Sequence, residues 1–231
     1  MYLYDFIVFN KELLKPLYGF LIGIICGIIV LRTDKLFHLS LHQGIRYFRN
    51  AFFFYGIAFI IRYLSGALTF YEYINPDYNF IINIIFEFFL IMAGFFLIYS
   101  LIWKKLESPK ENNRSSLFNI RILVFYILTL IIVILDYIWD VYYFLFASQI
   151  ILFFFATIIS YKNFSEDVKK HTFPKFYFIA MFLSFIVWIL NALAGLFFEW
   201  SNIVLINIYS INVLIFLIFL YGVVKVTNFN G

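Results

Sequence analysis

Apolar residues run through this chain in uninterrupted stretches of helical length, with polar residues gathered between them. A membrane-crossing helix needs about 20 mostly apolar residues. Read on that scale, the spans are Leu13–Leu31, Tyr47–Ala67, Phe80–Trp103, Ile120–Trp139, Val141–Tyr161, Phe176–Phe198 and Ile203–Val224. Runs such as Ile81–Leu101 lack the alternation of a membrane β-barrel strand. The expected fold is all-α: a single polytopic seven-transmembrane-helix bundle covering residues 1–231.

Charge and turn residues mark the breaks at Arg32–Arg46, Thr69–Asn79, Lys104–Asn119, Tyr137–Asp140, Lys162–Lys175 and Glu199–Asn202. Short breaks predict antiparallel neighbours. The Tyr137–Asp140 join is the tightest, and length argues for two helices there. A single helix over Ile122–Ser160 would be about 60 Å long at 1.5 Å per residue, roughly twice the hydrocarbon thickness. The first span has Asp5 before it, no strongly basic flank and no small-x-small site after it, so it reads as permanent, not as a cleaved signal.

Composition agrees, at 65% hydrophobic and 13% charged, against about 25% charged in soluble domains. It leaves no room for a soluble catalytic domain. A lone cysteine, Cys26, excludes an internal disulfide framework and a Cys-rich metal site. The 34 Phe are consistent with A+T-rich codons and are not read as a binding signature.

Orientation follows from the basic residues. With the N-terminus outside and the C-terminus cytoplasmic, all Lys and Arg except Lys11, Lys15 and Arg62 fall on the inner side. That satisfies the positive-inside rule. The acids lean outward: Asp5, Glu12, Glu72, Asp77, Glu87, Asp136, Asp140 and Glu199. The net charge of +4 therefore divides into a basic inner face and an acidic outer side, with no nucleic-acid patch. The partners expected are a bilayer with anionic headgroups at the inner face, worth about 1 kcal/mol per Lys or Arg, and a cytoplasmic protein docking there. The expected location is the cell membrane, multi-pass.

Charged groups within spans are costly and face the bundle interior. Arg62 and Glu87 lie roughly 8–11 Å below the outer ends of the second and third spans, and they are expected to pair. Asn83 shares the face of Glu87; Tyr55, Ala58, Arg62 and Ser65 share another. Asp136, Gln149, the stripe Ser184, Trp188, Asn191 and Gly195, and the pair Asn207 and Ser210 add polar groups biased to the outer half. The candidate ligand-binding set is thus Arg62, Glu87, Asn83, Asp136, Gln149, Trp188, Asn191, Asn207 and Ser210. Against it stands the plainer reading that such residues are interhelical hydrogen-bond partners worth about 0.6 kcal/mol each, with Arg62 and Glu87 a packing pair.

Gly19, Gly23 and Gly27 form a small-residue ridge for close helix packing, either within the bundle or in a homodimer. His38 and His42 lack the three ligands a catalytic zinc takes. The Asp136 and Asp140 pair is a lone DxxxD, and no phosphate loop or nucleophile motif occurs. No catalytic residue, metal or cofactor is therefore assigned, and the reading leans away from an enzyme. The outline resembles opsins, but Leu205–Tyr221 contains no lysine to hold retinal. The leading expectation is a receptor-like or sensory seven-helix module with a small-ligand pocket in its outer half, lacking an effector domain after Lys225. The alternative is a small-molecule or proton-coupled transporter using Arg62 and Glu87.

Overall fold

The computed structural model describes residues 11–40, 42–70, 79–106, 120–139, 142–166, 173–197 and 202–229. Seven helices occupy them: α1 (Lys11–Ser40), α2 (Gln43–Phe70), α3 (Asn79–Leu106), α4 (Ile120–Trp139), α5 (Tyr143–Glu166), α6 (Phe173–Phe197) and α7 (Asn202–Phe229). There are no strands among the described residues. Over their described residues, six helices, α1 and α3 to α7, are long and apolar enough to cross a membrane. This is an apolar helical bundle, compatible with a multi-pass membrane protein.

α2 lies between two neighbours. α2 packs along both α1 and α3, and Tyr47, Phe48, Ala51, Phe52, Phe54, Tyr55 and Ala58 are all buried. It also carries the polar residues Arg46, Arg49, Asn50, Arg62 and Ser65.

Neighbouring contacts run α1 to α2 to α3, then α3 to α5, α5 to α6, α6 to α7, and α7 back to α1. Six helices thus close a ring. α4 lies outside it, in the angle between α3 and α5. Its outward side is a continuous apolar surface that includes Leu123, Ile127, Leu130, Ile131, Ile134 and Ile138, all exposed. Such a face is ordinary toward lipid and costly in water.

One break differs from the sequence expectation. The Arg32–Arg46 stretch is mostly helix: α1 continues to Ser40 and α2 begins at Gln43. Thr33 returns its hydroxyl to the Ile29 carbonyl at 2.6 Å, Asp34 pairs with Arg49 of α2, and His38 lies 3.6 Å from Asp34 one turn away. Helix-compatible polar residues, cross-linked to the next helix, carry α1 past its apolar span. The tight join near Tyr137–Asp140 does separate two helices, α4 ending at Trp139 and α5 starting at Tyr143.

The glycine ridge of α1 is used within the chain at two of its three positions. A Cβ on Gly19 would collide with Tyr63 of α2, and one on Gly23 would come within 2.8 Å of Ile60. Gly27 has nothing within 4 Å of the same position. Lys110, Arg114, Lys169, Lys170, His171 and Asp140 lie outside the described residues.

Candidate functional site

The ring of helices encloses a cavity of about 420 Å³, within the roughly 300–1,000 Å³ of small-molecule sites. Every ring helix contributes to its wall, and α4 contributes nothing. Tyr18 of α1, Tyr55 and Arg62 of α2, Phe86 of α3, Phe153 of α5, Trp188 and Asn191 of α6, and Asn212 and Phe216 of α7 mark its circumference.

Its length can be read from the helices. The wall residues run from Phe52 to Tyr63 on α2, Phe86 to Leu97 on α3, and Ile208 to Phe219 on α7. Each interval is about 16 Å at 1.5 Å per residue. The slot therefore lies along the bundle axis.

Its two ends differ in chemistry. At the end toward the α2 C-terminus and the α7 N-terminus stand Arg62, Tyr63, Asn191, Tyr209 and Asn212, with Tyr18 stacked on Tyr209 at 4.3 Å between ring centroids. The opposite end is closed by Phe52, Leu97, Phe153 and Phe219. Beneath it, Tyr177 of α6 packs on Phe48 and Phe219. Its hydroxyl reaches α3, meeting Ser100 Oγ at 3.2 Å and the Leu97 carbonyl at 3.4 Å. This aromatic floor lies on the side predicted to be cytoplasmic.

Polar groups on the wall are under-satisfied. The Tyr18 and Tyr55 hydroxyls are buried and have no partner in hydrogen-bonding geometry among the described residues, with Asn212 beside Tyr18, and both residues line the cavity. A buried polar group left unmet costs about 1–3 kcal/mol. The Arg62 guanidinium sits over the Phe86 ring, 4.3 Å from its centroid.

Arg62 and Glu87 do not form the expected ion pair. Ion pairs do join Asp34 to Arg49 and to His38. Phe86 faces the cavity beneath Arg62, and the next residue on a helix points about 100° away. Glu87 is accordingly buried off the cavity wall, within electrostatic range of Asp136 as well as Arg62.

Other candidates separate in the same way. Trp188 and Asn191 line the slot, as does Ser184 on their stripe. Asn83 is half-buried and off the wall. Asn207 and Ser210 are exposed on the outer face of α7, because the inward positions are Ile208, Tyr209, Asn212 and Phe216.

Asp136 is a helix cap. Its two carboxylate oxygens accept the Phe144 and Leu145 N–H groups at 2.8 and 2.6 Å, the second and third positions of α5 after Tyr142, whose carbonyl accepts the Phe146 N–H. Gln149 is fully buried, faces Gly94 of α3, and has neither amide atom hydrogen-bonded. It too lies off the cavity wall.

Most hydroxyls turn inward on their own helix instead of bridging helices. Ser65 donates to the Ile61 carbonyl at 2.5 Å, Ser184 to Ala180 at 2.8 Å and Ser210 to Ile206 at 2.9 Å, while Asn191 Nδ2 donates to Val187 at 3.0 Å. Where no water is at hand, the nearest acceptor is the carbonyl one turn back.

Tyr18, Tyr63 and Tyr209 are wall residues that polarity alone did not single out. In a chain with 18 Tyr, only the packing distinguishes those that meet in one cavity from those that face lipid.

Comparison with known proteins adds little to this geometry. No family model matches the chain, and no solved structure matches it. An uncharacterized protein of Archaeoglobus fulgidus is 32% identical over 101 residues, which cover 40% of this chain and 44% of that protein. The chain thus spans less than half the length of this relative, whose name assigns it no activity.

Proposed function

We propose that the chain is a receptor-like, seven-span protein of the cell membrane, N-terminus outside and C-terminus cytoplasmic. In this reading it binds a small ligand in the central slot and passes a helix shift to its basic inner face. One observation carries it: a cavity of about 420 Å³ is walled by all six ring helices and holds buried, unpartnered tyrosine hydroxyls. A ligand touching six helices at once has differential contacts with any two arrangements of them, which is what coupling requires.

The transport reading has less support. Transporters of known plan use discontinuous helices at the midplane, and the seven described helices run without a break. Glu87, the carboxylate that reading needs, is not on the cavity wall. Beyond the ligand, the basic inner face is a surface for anionic headgroups or a cytoplasmic protein. Self-association through the α1 ridge would use its open Gly27 position, since α2 occupies the other two.

The test is a stability screen of the purified protein in lipid nanodiscs against a small-molecule library. A binder should raise the unfolding temperature of the wild type and lose its effect in Ser184→Trp, which places a large ring in the slot. A binder set indifferent to Ser184→Trp would sink the pocket. Separately, a C-terminal reporter that reads extracellular would overturn the orientation, and Glu87-dependent flux into proteoliposomes would favour transport.

A further inference from the structure

The shape and polarity of the slot narrow the class of ligand, and this step rests on the pocket reading above. About 420 Å³ drawn out over about 16 Å is a channel about 6 Å across. That width admits one hydrocarbon chain. An extended chain advances about 1.2 Å per bond, judged from the rise of an extended backbone, so the slot takes roughly thirteen bonds.

The lining is graded along the same axis. Its inner end is Phe52, Leu97, Phe153 and Phe219, which offer a chain contacts and no hydrogen bonds. Its outer end holds Arg62, Asn191 and Asn212. The Arg62 guanidinium rests on an aromatic ring with no carboxylate of the described residues within ion-pair distance, so its donors can receive an anion. Tyr18 and Tyr55 add two buried hydroxyl-bearing residues, one near the outer end and one about a helical turn above Phe52.

We infer that the cavity binds a single-chain amphiphile with an anionic head, head against Arg62 and chain toward the Phe52 and Phe219 floor. The bilayer itself delivers such a molecule. A chain leaving lipid for an apolar slot gains little hydrophobic energy, so selection rests on the head contact and on the match of length.

The probe is tritiated myristate, a 14-carbon carboxylate, counted on nanodiscs carrying the purified protein against empty discs. Saturable binding of one myristate per chain is expected. Unlabelled myristate should compete roughly tenfold to a hundredfold better than myristyl alcohol, the range for hydrogen bonds to a charged group. Arg62→Gln should erase that preference and Arg62→Lys should keep part of it. Competition should peak near fourteen carbons, and Phe52→Trp, which shortens the floor, should move the peak to shorter chains. Tetradecyl phosphate competing as well as myristate would keep the class and show that the head need only be anionic.

A head preference that survives Arg62→Gln, or a length profile untouched by Phe52→Trp, would overturn the inference. Binding unaffected by Ser184→Trp would place the chain on the outer surface and overturn it too. If myristate fails while a library compound sensitive to Ser184→Trp binds, the ligand class is wrong and the pocket stands. If neither binds, both readings fall. Burial of Cys26 against a thiol reagent verifies that each variant is folded.

Discussion

Removing the carboxylate of Asp136 should weaken the protein through the start of α5, with no direct effect on the cavity. The side chain is 4% exposed and receives two backbone N–H groups at 2.8 and 2.6 Å. In Asp136→Ala both donors lose their partner. Loss of an N-cap costs about 0.5–2 kcal/mol in soluble proteins, and each buried orphaned donor costs about 1–3 kcal/mol. Water near the outer end of α5 relieves part of this, so about 2–4 kcal/mol is expected. Asp136→Asn keeps an acceptor oxygen in place and should lose about half as much. The chain carries its own reporter, since its single cysteine, Cys26, is buried. Reaction of Cys26 with a thiol reagent across a denaturing-detergent titration counts the unfolded fraction. Asp136→Ala within about 0.5 kcal/mol of wild type would refute the cap. A loss of ligand binding at unchanged stability would return Asp136 to the binding site.

The same titration checks three further expectations. Gly19→Ala should cost about 1–3 kcal/mol, as overpacking does, because the added methyl meets Tyr63; Gly27→Ala, in open space, should be neutral or stabilising by up to about 1 kcal/mol. Equal effects at the two positions would mean that α1 does not cross α2 where described. Gln149→Met should stabilise by about 1–3 kcal/mol, since both buried amide atoms are unpaired; destabilisation would reveal a partner for that amide. Arg49→Ala should cost no more than about 1 kcal/mol, because Asp34 is 42% exposed. A loss of several kcal/mol would show that the pair is shielded from water.

Helix positions were legible because lipid imposes a simple rule: a backbone without water must bond to itself and carry apolar side chains for about 20 residues. α3 and α4 start and stop within a few residues of their predicted ends. The inner extension of α1 was not legible, since Thr33, Asp34 and His38 read equally well as loop or as solvated helix. Their hydrogen bond and the ion pair to Arg49 came with the fold.

For the site, polarity found Arg62, Trp188 and Asn191, because a polar group placed deep in a span must point inward. It could not say that Glu87 lies off the cavity wall, that Asn207 and Ser210 face outward, or that Asp136 caps the next helix. Those outcomes depend on helix rotation and on the order of neighbours, which leaves α4 outside the ring. A hydropathy pattern with apolar residues all round a helix sets no rotation about its axis. Side-chain packing sets it, and packing alone gathered Tyr18, Tyr55 and the Phe residues of four helices into one slot. Residence in lipid and the length of the helices were therefore written in composition and run length, whereas the cavity exists only because six helices meet around it.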